Sequence, residues 1–160
     1  MAFFRQVMQI ALGITGVLNR GQNALLAAIR LYWGWQFCIT GWGKLHHIER
    51  VADYFATLHL PFPAQTALFV ALVECVGGLL LALGTASRLV ALFLFVNMTV
   101  AYWVADREAL FSIFSAPDKF YSADPFPFWS AALLILIFGP GRWAIDRWGR
   151  KFQAEAERAV

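Results

Sequence analysis

Hydrophobic and polar positions divide this chain into long apolar blocks separated by short polar breaks. Residues 65–84 are apolar apart from a few small polar side chains and one charge, Glu74, near the middle. A run of that length crosses a bilayer. Gly77 and Gly78 follow the acid at i+3 and i+4 and share its face of a helix. Small residues let a second helix approach closely in lipid. A carboxylate in hydrocarbon is stable only when it faces a partner. The pattern predicts a transmembrane helix whose Glu74–Gly77–Gly78 face points into a bundle.

The other blocks follow the same logic. Phe3, Val7, Ile10, Ile14 and Val17 recur at helical spacing, with Arg5, Gln9, Gly16 and Arg20 opposite. That apolar stretch is about 13 residues, short of a full span. It predicts an amphipathic helix lying in the membrane plane, with a tilted extension of the first span as the alternative. Span one runs over 23–45. Its Arg30, Gly34, Phe37, Gly41 and Lys44 fall within roughly 80° of one another on a 3.6-residue helix. In the polar segment 46–63, Val51, Tyr54, Phe55 and Leu58 predict a short surface helix, which Pro61 and Pro63 end. A turn at 84–87 leads to span three, 88–105, with Asn97 near its midpoint. Residues 106–125 read as a long loop carrying Phe111, Phe114, Phe120 and Tyr121. Span four, 125–140, is short and stops at Gly139-Pro140-Gly141. The organisation is an N-terminal segment 1–22, a four-helix domain 23–147 and a basic tail 148–160.

Composition fixes the class. Of 160 residues, 60% are hydrophobic and 14% charged, against about a quarter charged in soluble domains. The expected fold is all-α: an integral membrane four-helix up-down bundle with an N-terminal amphipathic in-plane helix. The net charge of +3 reflects topology rather than nucleic-acid binding, because the basic residues flank the apolar blocks. Arg5, Arg20, Arg88, Arg142, Arg147, Arg150, Lys151 and Arg158 lie on one side. Lys44, Arg50, Arg107 and Lys119 lie on the other. The positive-inside rule puts both termini in the cytoplasm. The histidine segment and the aromatic loop then face outward from a bacterial inner membrane. No cleavable signal peptide is evident.

The candidate chemistry is polar and lies within the membrane. At 1.5 Å per residue, Glu74 is roughly 15 Å from the outer end of its span and Arg30 roughly 21 Å below Lys44. The remaining offset of about 6 Å is within an arginine's reach. An Arg30–Glu74 pair is expected, supported by Asn97, with Lys44 at the outer mouth. Such a pair either fixes helix register or forms a site for a quinone headgroup or a proton. Gly34, Gly41, Gly77 and Gly78 are the expected packing positions. His46, His47 and His59 are weak metal candidates: His46 and His47 point about 100° apart on a helix, and no metal is assigned. Cys38 and Cys75 lie at comparable depths. A disulfide stays open beside the commoner reading of free buried thiols. No phosphate loop, nucleophile–base pair or dinucleotide fingerprint occurs.

Several stretches together resemble one family. They are Arg30, Gly34 and Gly41-Trp42-Gly43-Lys44-Leu45; Leu60-Pro61-Phe62-Pro63; Glu74-Cys75-Val76-Gly77-Gly78 with Leu83-Gly84 and Arg88; and Gly139-Pro140-Gly141-Arg142-Trp143-Ala144-Ile145-Asp146. Over residues 23–147 their order and spacing resemble the DoxX family of small four-helix bacterial membrane proteins. Members are similar to a subunit of archaeal thiosulfate:quinone oxidoreductase. Others are linked to sulfur and oxidative-stress redox complexes, or sit beside genes for metal-related peptide maturation. The resemblance implies a membrane subunit of a quinone-linked redox complex, with quinone as the candidate cofactor and other membrane or periplasmic subunits as partners. The alternative is a scaffold or assembly factor without a cofactor. A small-solute transporter fits less well, since four unbroken spans leave little room.

Overall fold

A computed structural model describes residues 2–146, with residues 2, 3, 10, 11, 14, 17, 19 and 20 as backbone only. The described residues form helices and no strand. The first helix, α1, runs from Ala2 to His46, 45 residues in all. At 1.5 Å per residue it is about 67 Å long, more than twice the roughly 30 Å of a hydrocarbon core.

The separate N-terminal helix expected over 2–19 is instead the first part of α1, which passes residue 22 without a break. The reason is local. No proline occurs before Pro61, and single glycines such as Gly13, Gly16 and Gly21 each weaken a helix by only about 1 kcal/mol. Phe4, Val7, Leu12 and Leu18 are exposed. Leu26 is the first buried side chain described in α1. The side chains of Phe3, Ile10, Ile14, Val17 and Arg20, and the tail with Arg147, Arg150, Lys151 and Arg158, lie outside the described residues.

Helix α2 (Ile48–Thr57) follows and packs against α3 (Pro63–Leu83). Pro63 opens α3 at a position where its missing N–H costs nothing. Gly84 closes it with φ 78°, its N–H donating to Leu80 O at 2.9 Å. Glycine adopts this left-handed cap without steric cost. Helix α4 spans Ser87–Val104. The segment expected to be a plain loop contains two short helices, α5 (Arg107–Phe111) and α6 (Pro117–Ser122), before α7 (Pro125–Phe138). Helices α3 and α4 are long and apolar enough to cross a membrane; α7 is apolar but shorter.

Helix α1 packs on α3, α3 on α4, α4 on α7 and α7 on α1. Residue registers give the directions. Gly34 lies beside Gly78 and Ala82, whereas Gly41 lies beside Ala71 and Cys75, so α1 and α3 are antiparallel. Gly77 faces Leu94 and Glu74 meets Asn97, so α3 and α4 are antiparallel. Trp129 Nε1 donates to Thr99 Oγ1 at 3.1 Å while Arg88 donates to Ile137 O at 3.2 Å, which sets α4 against α7. Phe37, Leu81, Leu94, Met98 and Ile135 belong to the buried cluster between these helices.

The α1/α3 contact is backbone on backbone. A Cβ at Gly34 would stand 2.6 Å from Ala82 N, and one at Gly78 would stand 2.5 Å from Cys38 N. A Cβ at Gly41 would collide with the backbone of Cys75. Gly77 differs: a Cβ there would meet only the side chain of Leu94, at 3.2 Å.

Candidate functional site: a buried carboxylate and its lysine

Glu74 lies at mid-helix in α3 and is 1% exposed. Its partner is Lys44, not Arg30. Lys44 Nζ donates to both carboxylate oxygens at 2.5 Å. Asn97 Nδ2 of α4 donates to Oε1 at 3.1 Å. Three helices therefore converge on one carboxylate, and each donor comes from a different neighbour. Burial is uneven: the Lys44 side chain is 32% exposed. The pair therefore joins an enclosed anion to a part-exposed cation on a four-carbon stem.

The expected Arg30–Glu74 pair fails on stagger. Gly41 lies beside Ala71 and Cys75, so Lys44 is level with about residue 70 and four residues, roughly 6 Å, from Glu74. Arg30 is ten residues, roughly 15 Å, from the level of Glu74 in the other direction. The estimate from sequence set the ends of the two spans level. The first turns of α3 instead extend beyond the end of α1.

Arg30 belongs to a second cluster at the C-terminal end of α3. It is 3% exposed, and its Nη2 donates to Trp143 O at 3.2 Å. Its Nε and Nη1 are buried without a hydrogen-bond acceptor. Asp146 supplies the opposing charge nearby. The Asp146 carboxylate accepts from Ala86 N at 2.6 Å, Ser87 N at 2.8 Å and Ser87 Oγ at 2.8 Å. It thereby caps the N-terminus of α4, where acceptors are favoured. A Cβ at Gly84 would collide with Arg30 Nη1. Glycine there serves both the α3 cap and the space for the guanidinium. A cavity of about 560 Å³ opens at this end between Asn23, Ser87, Arg88 and Gly139.

The four polar residues singled out from the sequence thus separate into Lys44, Glu74 and Asn97 in one cluster and Arg30 in another. Sequence reasoning missed Asp146 and Ser87 as parts of the second. Their signal is an acid a few residues after the Gly139-Pro140-Gly141 stop, where the chain doubles back. The histidines do not converge. His46 Nδ1 lies 3.0 Å from Trp42 O and His59 Nδ1 lies 3.0 Å from Thr57 O. Among the described residues, no three His, Cys, Asp or Glu side chains gather as metal ligands.

Outside the spans, Asp106 at the end of α4 has its carboxyl pushed up. Burial is the larger cause and the neighbouring charge of Asp124 adds to it.

Helices α3 and α4, long and apolar enough to cross a membrane, enclose a carboxylate held by a part-exposed lysine. The family model for DoxX matches residues 25–107, so the chain belongs to the DoxX family. The matched region holds both Glu74 and its donors Lys44 and Asn97. The Gly139–Asp146 stretch, part of the resemblance read from the sequence, lies beyond it. Comparison with curated proteins and with solved structures finds no match to either.

Proposed function

We propose that this protein is a membrane subunit of a quinone-linked redox complex, with Lys44, Glu74 and Asn97 as its polar site. In this reading α1, α3, α4 and α7 form a four-helix up-down bundle across a bacterial inner membrane. The lysine and arginine distribution sets both termini in the cytoplasm. The Lys44 end then faces the outer side.

The observation that supports the reading is the asymmetry of the ion pair. A carboxylate is kept almost fully out of solvent, while the cation that neutralises it is a third exposed. Enclosing both charges would add the desolvation cost of the lysine; its exposure avoids that cost and leaves the ammonium within reach of a group outside the bundle. Lys44 can rotate from Glu74 to the carbonyl oxygen of a bound quinone and donate there. Asn97 holds the carboxylate in place during the exchange. Arg30 serves the architecture at the C-terminal end of α3.

Purification in mild detergent, solvent extraction and ultraviolet absorption test this. Quinone is expected with the wild-type protein and is expected to be lost in Glu74→Gln. Wild type without quinone rejects the reading.

A second reading, a scaffold binding other membrane or periplasmic proteins, draws on the α5–α6 segment. Phe114 there is 96% exposed, and Phe111 is exposed beside it. A stoichiometric protein partner without quinone, released by Phe114→Ser, supports that reading instead.

A further inference from the structure

Cys38 and Cys75 take no part in the Lys44 cluster, yet they flank the tightest helix contact in the molecule. A Cβ at Gly78 would stand 2.5 Å from Cys38 N, and one at Gly41 would collide with Cys75 N. Each cysteine therefore sits beside a glycine of the facing helix. In the antiparallel register Cys38 is level with about residue 76, one residue or about 1.5 Å of helix rise from Cys75. The close backbones set each cysteine against the facing helix, and a disulfide requires a Cα separation of about 4.4–6.8 Å. Both are free and only partly buried.

The surface around them is apolar. Trp35 and Trp42 stand one turn before and after Cys38, and Leu72 and Leu79 do the same for Cys75; all four are exposed. In a membrane such a face meets lipid. Two indole rings beside a shallow apolar seam suit a flat, apolar ring from that phase.

We propose that Cys38 and Cys75 are a redox-active dithiol that reduces a quinone from the lipid and closes to a disulfide joining α1 to α3. Two S–H bonds break and one S–S bond forms. Two electrons and two protons pass to the quinone, which leaves as quinol. The proposal rests on the quinone-linked reading for its electron acceptor. It adds the donor, and it places the donor on the same two helices that carry Lys44 and Glu74.

The test uses the full-length, reduced protein in lipid nanodiscs without oxygen. The acceptor is a short-chain benzoquinone with every ring position substituted, so that thiols cannot add to the ring. Quinol is read by absorbance, and free thiols by maleimide mass shift after denaturation. The expected result is one quinol per protein, with both thiols lost together and the intact mass lower by two hydrogens. Cys38→Ser and Cys75→Ser should each abolish quinol formation and leave the remaining thiol free. Thiols that stay free with excess quinone overturn the proposal. So does closure by diamide but not by quinone, and so does quinol formation in either single variant. The double Cys38→Ser/Cys75→Ser protein separates this from the reading beneath it. If that variant still co-purifies with quinone while wild-type thiols ignore added quinone, the dithiol fails and the quinone site stands.

Discussion

The middle of α3 and its C-terminal end hold charge in opposite ways. At Glu74 the anion is buried and its cation reaches the surface. At the Arg30 end the cation is buried, and its anion is fastened to the backbone at the start of α4. Glu74 depends on two side-chain donors. Asp146 is fixed by two backbone N–H groups and a serine hydroxyl. The first arrangement can exchange a partner without disturbing the helices. The second cannot, because undoing it uncaps α4. On the proposed reading, exchange belongs to the middle of α3 and architecture to its C-terminal end.

The contrast breaks most sharply at Lys44. Lys44→Met leaves Glu74 buried without a counter-charge and should destabilise the protein by about 3–5 kcal/mol. Thermal unfolding in detergent measures this, and adding Glu74→Gln to Lys44→Met should restore most of the loss. No recovery in the double variant would mean that Lys44 acts through packing. Next is the seam. Gly41→Ala collides with backbone that cannot yield and should cost up to about 3 kcal/mol. Gly77→Ala, which faces a movable leucine, should stay within about 0.5 kcal/mol.

At the Arg30 end, Asp146→Ala removes the cap of α4 and should cost about 1–2 kcal/mol. Bound quinone should be unchanged, which sets it apart from Glu74→Gln. The smallest effect concerns pH. The Asp106 carboxyl holds its proton more tightly when folded than when unfolded. Its contribution to stability is therefore present at low pH and lost as pH rises through the folded value. Asp106→Asn should gain under about 0.5 kcal/mol at neutral pH. The gain should vanish below about pH 3.9, where both states are protonated. Stability curves of the two proteins against pH check the sign.

The face Arg30–Gly34–Phe37–Gly41–Lys44 was legible in the sequence because helical periodicity is local; all but Lys44 are fully buried. Which of its two cations meets Glu74 was not. That choice depends on how far α3 extends past the end of α1, a non-local offset. The glycines held part of the answer, since Gly34 and Gly41 against Gly78 fix the register once α1 and α3 are known to pair. Asp146 stood in the motif that carried the family resemblance, but its partners were not legible for a related reason. Its partners, Ala86 and Ser87, lie about sixty residues earlier in the chain, and no helical spacing links them. The unbroken length of α1 matches the alternative of an extended first span; the sequence favours a separate in-plane helix because the apolar stretch of 2–19 is too short to cross a bilayer.

The seam between α1 and α3 also bears on motion. Where backbone lies on backbone, there are no rotamers to repack and no soft layer to shear, so these two rods shift as a single beam. The α4–α7 contact runs through rings and long side chains, such as Phe95 against Trp129, which can slide over one another. Hydrogen exchange is therefore expected to be faster in α4 and α7 than along the α1–α3 seam.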